Sequence, residues 1–159
     1  MKKCITLLCI VVTFVACKES SSNKTVKTAD IKFTKEGELT LTKADDTDIV
    51  TLDVEFAETN YERETGLMYR KSMEEKQAML FIFESSRPQS FYMKNTYIPL
   101  DIIYLDENKK IVSFQKNAQP LNEQGLPSVQ PAMYVLEINA GLADKWSLAV
   151  GDTMNFVKF

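Results

Sequence analysis

The 159-residue chain contains no histidine. That absence removes Ser-His-Asp and Cys-His catalysis, imidazole-ligated zinc and histidine-based pH switching. Cysteine is nearly as scarce. The three present, Cys4, Cys9 and Cys17, all lie in the first seventeen residues, so the remainder of the chain has no thiol nucleophile, disulfide or thiolate ligand. Beyond the first twenty residues no apolar run is long enough to span a bilayer. Positive charge is also short. Nineteen basic residues face 22 acidic ones, a net charge of −3, with no basic patch of the kind nucleic acid requires. What remains open is carboxylate chemistry, a Ser-Lys arrangement, oxygen-ligated divalent cations, or binding without chemistry.

What is present begins with an address. Lys2 and Lys3 form a positive leader and Ile5 to Val15 a short apolar run, the pattern of a signal peptide. The run ends in Phe14-Val15-Ala16-Cys17, which resembles a bacterial lipobox, although Phe14 is an unusual occupant of its place. The expected organisation is a signal peptide over 1–16, a lipidated Cys17 with a polar tether over 17–36, and one folded domain over 37–159. An ordinary signal peptide cut nearby, or a simple anchor, is the alternative. The Ser-, Thr- and Lys-rich stretch from Lys18 to Ala29 favours the tether. Cleavage before Cys17 removes two basic residues and no acids, leaving 17 basic against 22 acidic residues and a net charge of −5.

Past the tether, Glu38–Thr42 and Ile49–Ala57 alternate apolar and polar residues and predict a hairpin around Ala44-Asp45-Asp46-Thr47. In the second strand Val50, Leu52, Val54 and Phe56 share the inner face, with Thr51, Asp53 and Glu55 outside. Thr59-Asn60-Tyr61-Glu62 is a capping box, predicting a helix from Asn60 through about Met68. Gly66 inside so short a helix implies a close approach by another backbone. Met79–Phe83 reads as a strand buried on both faces. Strands follow at Phe91–Met93, Leu100–Leu105, Ile111–Gln115 and Ala132–Ile138. A long loop spans Asn117–Pro131, and a short helix over Gly141–Leu148 turns Leu142, Trp146 and Ala149 inward. The last strand is Thr153–Phe159. About eight strands and two short helices predict an α+β, mostly-β single domain with an antiparallel, barrel-like sheet.

Several stretches carry a resemblance. Gly66-Leu67-Met68-Tyr69-Arg70, Phe91-Tyr92-Met93-Lys94-Asn95-Thr96, Pro99-Leu100-Asp101, Tyr134-Val135-Leu136-Glu137 with Gly141, and Gly151-Asp152 resemble the domain-of-unknown-function 192 family in order and spacing. The resemblance runs from about Leu52 to Phe156. It implies a strand-rich single domain, often exported, and brings no established activity. Tyr92 stands where the family commonly has Trp. Asn117-Ala118-Gln119-Pro120 is not followed by the cysteine that many relatives carry.

The candidate site residues come from the aromatic, polar-interrupted segment Ser90–Tyr104. Tyr92, Met93, Asn95, Thr96 and Asp101 are candidates for a ligand pocket, aromatics supplying contact area and the polar groups orientation. Asn95 and Thr96 equally suit a bend where they satisfy backbone groups. Asp101 is expected to form a buried ion pair with Arg63 or Arg70, tying helix to sheet. Glu137 is expected either exposed on an edge or within that charged cluster. Should the protein be an enzyme, Asp101 and Glu137 would be its acid/base pair on a glycoside. The resulting expectation is a lipoprotein held through Cys17 in the bacterial cell envelope, at a Gram-negative periplasm or outer membrane. It would bind a glycan, peptide or envelope ligand, without cofactor, metal or nucleic acid. The alternative is a carboxylate-dependent hydrolase of glycan-type substrates centred on Asp101.

Overall fold

A computed structural model describes residues 30–159; the expected signal peptide, Cys17 and most of the expected tether lie outside these. The chain forms β1 (Gly37–Thr42), β2 (Asp48–Ala57), α1 (Asn60–Thr65), β3 (Gln77–Arg87), β4 (Ser90–Phe91), β5 (Leu100–Leu105), β6 (Ile111–Ala118), β7 (Leu126–Pro127), β8 (Ala132–Asn139), α2 (Leu142–Lys145) and β9 (Thr153–Lys158). Seven strands make one sheet in the order β6-β5-β8-β3-β2-β1-β9, and β4 pairs with β7 apart from it. No described helix is long and apolar enough to cross a membrane.

The mostly-strand α+β reading holds, with two short helices, but the sheet is mixed rather than wholly antiparallel. β2 and β3 run parallel, Asp53 beside Gln77 through Ala57 beside Phe81. A parallel pair needs a crossover connection, which α1 and the segment after it supply. Nor does the sheet close into a barrel. Its edge strands β6 and β9 approach at one corner only. There Lys110 bridges Thr153, and the Ile111 amide donates to the Asp152 carbonyl at 2.8 Å.

Two apolar clusters lie on the two faces of the sheet. Leu39, Leu41, Leu52, Val54, Leu80, Ile103, Leu105, Leu136 and Ile138 build the first, closed by Ala143 and Leu148 around α2. Met79, Phe81, Ile102, Tyr104 and Val135 build the second, closed by Leu67, Met93 and Ile98 from the connecting segments. β3 and β5 contribute to both, which is why Leu100–Leu105 is buried at every position and why the Met79–Phe83 run is apolar throughout.

The second face is roofed by irregular chain rather than by helices. Hydrogen bonds stitch the roof together: Tyr69 amide to Asn95 carbonyl at 2.8 Å, Met93 amide to Asn122 carbonyl at 2.8 Å, and Leu121 amide to Thr96 carbonyl at 3.1 Å. The long loop is part of this roof and carries β7. α1 starts as its capping box requires, with Glu62 amide to Thr59 Oγ1 at 3.2 Å and Thr59 amide to Glu62 Oε2 at 2.8 Å. It ends at Thr65, earlier than expected, because Gly66 takes φ 44° and ψ −127°, which residues with a Cβ avoid. The approach that Gly66 permits is to a side chain, not a backbone: an added Cβ would sit 2.8 Å from Phe81 Cζ. α2 is likewise shorter than expected. Leu142, Ala143 and Leu148 turn inward while Ala149 is exposed, because a four-residue helix cannot carry the periodicity that far.

Candidate functional site

Where the roof meets the second face it leaves a pocket of about 270 Å³. Its floor is Phe81 on β3 and Glu137 on β8. Its walls come from α1 and the turn after it (Arg63, Glu64, Gly66, Met68), and from Gln89 to Tyr92 with Thr96 on the far side. Strand alternation fixes the floor. Glu137 pairs with Met79 on one side and Ile102 on the other, both second-face residues. Aromatic packing shapes the wall. Phe91 meets Phe81 edge-on, centroids 4.9 Å apart at 89°, and Phe83 at 6.4 Å and 81°.

Glu137 is the unusual group here. It is only 5% exposed, and burial alone pushes its carboxyl up to about 8, with neither a cation nor a hydrogen-bond donor pulling it back. At neutral pH it is therefore an uncharged acid, able to donate through O–H and accept through C=O. Its neighbour Tyr104 donates its hydroxyl to the Leu126 carbonyl, and burial, then Glu137, raise the phenol above its usual range. Gln89 gives its amide nitrogen to the Ala132 carbonyl at 3.2 Å, leaving its side-chain oxygen as an acceptor. Arg63 is already engaged, with Nη1 to the Ile82 carbonyl at 3.0 Å, Nη2 to Asn60 Oδ1 at 2.6 Å, and the guanidinium 5.4 Å over Phe83.

The structure distributes the candidates from sequence unevenly. Tyr92 and Thr96 line the pocket. Met93 is 1% exposed and belongs to the core beneath. Asn95 takes φ 55° at the turn and donates Nδ2 to Tyr69 Oη at 2.8 Å; it is not itself a lining residue, although it also touches the sulfur of Met68, which is. Asp101 lies on the opposite side of the sheet. It pairs with Ile138, a first-face residue. Its Oδ1 accepts from the Asn117 amide at 2.8 Å and its Oδ2 from the Ala143 amide at 2.9 Å.

That placement corrects the expected ion pair. Neither Arg63 nor Arg70 reaches Asp101, because the crossover carrying both arginines covers the second face and Asp101 points to the first. Arg70 instead pairs with Glu55, Nη1 to Oε2 at 2.6 Å, both side chains about nine-tenths buried. Glu55 Oε1 also accepts from the Thr34 amide at 2.9 Å. Glu55 is thus not on an exposed face, and two backbone amides do for Asp101 what a guanidinium was expected to do. Glu137 is neither exposed on an edge nor in a charged cluster. Since Asp101 and Glu137 project from opposite faces, they cannot flank one glycosidic bond.

Sequence reasoning missed Phe81, Phe83, Phe91, Gln89 and Gly66 as pocket residues. One signal was available: an acid in the middle of Tyr134-Val135-Leu136-Glu137-Ile138, a run otherwise fit for a core strand.

The curled mixed sheet, the roof of connecting segments and the pocket over a buried acid define a class of strand-rich single domains. The profile of the DUF192 family, described as uncharacterized ACR, matches residues 40–156, and the chain belongs to that family. Two solved structures are similar. A protein of unknown function from Novosphingobium aromaticivorans is 33% identical with a TM-score of 0.70, the match covering 74% of this chain and 83% of that one. A protein from Sinorhizobium meliloti, provisionally described as a transcription regulator, is 35% identical with a TM-score of 0.74, covering 80% of this chain and 97% of that one. No curated protein matches.

Proposed function

We propose that this DUF192 domain is a binding module whose pocket over Glu137 takes a small ligand, and that the chain presents the pocket in the cell envelope from a lipid on Cys17. The carrying observation is the Glu137 carboxyl, buried in a pocket floor with no charge or donor to compensate it. Such a group costs stability unless something meets it, and a ligand is what the pocket leaves room for. The volume, about 270 Å³, lies just below the roughly 300–1,000 Å³ usual for small-molecule sites, so the ligand is small, or is one end of something larger. Apolar walls with a few convergent polar groups are the usual make-up of such sites. The hydrolase reading finds no support in the geometry, because Asp101 is spent on backbone amides and faces away. The regulatory description of the Sinorhizobium protein is not carried over, given the acidic net charge of this chain.

A ligand-observed NMR screen of small amines, alcohols, acids and sugars tests the reading, with Ser90→Trp as the blocked control. Ser90 is an exposed lining residue with its Oγ beside Gly125, so an indole there is expected to obstruct the mouth, with retained folding checked by the variant's amide NMR spectrum. Hits that bind the parent and are lost in the variant support the reading. No hits, or hits indifferent to the substitution, overturn it.

A further inference from the structure

We propose that the ligand group this pocket recognises is an organic ammonium ion, seated between the Glu137 carboxylate and the ring wall of Phe81, Phe83 and Phe91. The inference rests on the reading of the pocket as the ligand site and names the chemistry it selects. Three observations converge on it. First, the buried polar groups at the pocket floor and wall offer acceptors, the Glu137 carboxyl and the Gln89 side-chain oxygen, with a second acid, Glu64, on the wall; the hydroxyls of Ser90 and Tyr92 belong to exposed lining residues. Second, the one cation on the wall, Arg63, is held by the Ile82 carbonyl and Asn60 and stacked over Phe83, so it is not available to meet an anion. Third, the wall beside Glu137 is aromatic, with Phe91 edge-on to Phe81 and Phe83, and the Arg63 guanidinium already rests 5.4 Å from the Phe83 ring centre, the kind of cation-to-ring contact that ammonium groups also make. An anionic ligand would meet two acids and no free base. A neutral ligand would bring no charge to meet the Glu137 carboxyl.

The free pocket keeps Glu137 protonated near neutrality, so an ammonium ion binds by displacing that proton to solvent. Around Glu137 the other groups are Met79 and Phe81 from β3, Ile102 and Tyr104 from β5, Arg63 and Glu64 from α1, and Gln89 and Thr96 from the roof. Of these, the Tyr104 phenol, raised by burial and by Glu137, stays protonated in the range concerned. Affinity for a non-titrating ammonium ion should therefore rise by about tenfold per pH unit between pH 6 and 8 and level off above, with one proton released on binding.

The test uses three probes of one shape: choline, 3,3-dimethylbutan-1-ol and 3,3-dimethylbutanoate, carrying positive, zero and negative charge. Isothermal titration calorimetry at pH 6, 7 and 8, in two buffers of different ionisation enthalpy, reads affinity and proton release together. The expected result is choline bound at least tenfold tighter than the alcohol, no binding of the acid, rising affinity with pH, and buffer-dependent heat. Glu137→Gln should abolish the choline preference and its pH dependence while Ser90→Trp abolishes all binding. Alcohol or acid bound more tightly than choline, or choline binding that ignores pH, overturns the ammonium assignment. If the alcohol or acid is nevertheless lost in Ser90→Trp, the pocket stands as a ligand site. Failure of all three probes to bind overturns the ammonium assignment, and the wider NMR screen then decides the pocket separately.

Discussion

Glu137 and Asp101 are both buried acids, and their surroundings make them opposites. Asp101 is a carboxylate whose two oxygens each accept a backbone amide, and Glu137 is an acid with nothing to accept from. The consequence for Glu137 is a stability cost that depends on pH. Its folded value, about 8, lies above the ordinary glutamate value of 4.5. Between those two values the native state holds a proton that the unfolded chain has released. Stability contributed by the protonated form is complete below the unfolded value and is lost as pH rises through the folded one, with a slope of at most about 1.4 kcal/mol per pH unit. Glu137→Gln removes this term. Urea melts from pH 5 to 8.5 should show the variant gaining stability relative to the parent as pH rises; parallel curves would mean that Glu137 is ionised in the folded state. Gly66 is the second residue with a defined cost. Gly66→Ala forces a Cβ onto a φ of 44° and against the Phe81 ring, so a loss of roughly 1–3 kcal/mol is expected in the same melts. Neither residue's role could be read from the chain alone. Alternation placed Glu137 on one side of β8 and Asp101 on one side of β5, but it does not say which side the connecting segments cover.

Among the elements, those governed by local rules were legible. The capping box at Thr59 and Glu62, the doubly buried strands around Phe81 and Ile103, and the hairpin of β1 and β2 all follow from side-chain chemistry within a few residues. The ends of both helices do not, because Gly66 and the short α2 end where tertiary packing, not periodicity, decides. α2 is tied to the sheet through Asp101, which accepts the Ala143 amide near that helix's start and the Asn117 amide at the end of β6. Asp101→Asn sets an amide N–H against one of those donors and should cost roughly 1–3 kcal/mol. Asp53→Asn, which loses only a half-exposed pair with Lys35, should cost within about 0.5 kcal/mol. Equal costs would contradict the two-amide clasp. Double-mutant cycles separate the arginines further. Arg70 should couple to Glu55 by roughly 0.5–3 kcal/mol and to Asp101 by nothing measurable. A reversed result would restore the helix-to-Asp101 pairing expected from the sequence.

For the whole molecule, a single strand-rich domain was legible because strands recur in short-turn runs with too few helices for a wound sheet. The mixed direction was not, although the order strand, helix, strand from Val50 to Phe81 is the form of a parallel crossover. Closure was not legible either, since the meeting of β6 and β9 depends on how far the sheet curls. The proposed anchoring lies at the other end of the chain. Cys17→Ala should move the protein from the detergent-extracted membrane fraction to the soluble one, and unchanged partitioning would remove the lipid anchor from the proposal. The most direct measurement concerns the uncharged acid at the centre of the pocket: a carbon-13 NMR titration of the glutamate side-chain carboxyls, with the Glu137 signal assigned by its loss in Glu137→Gln. The expected midpoint for Glu137 is near pH 8, above the ordinary glutamate value of 4.5, and it should move when a pocket ligand binds. A midpoint within the ordinary carboxylate range, unmoved by any ligand that Ser90→Trp excludes, would contradict a pocket built around a buried, uncompensated acid.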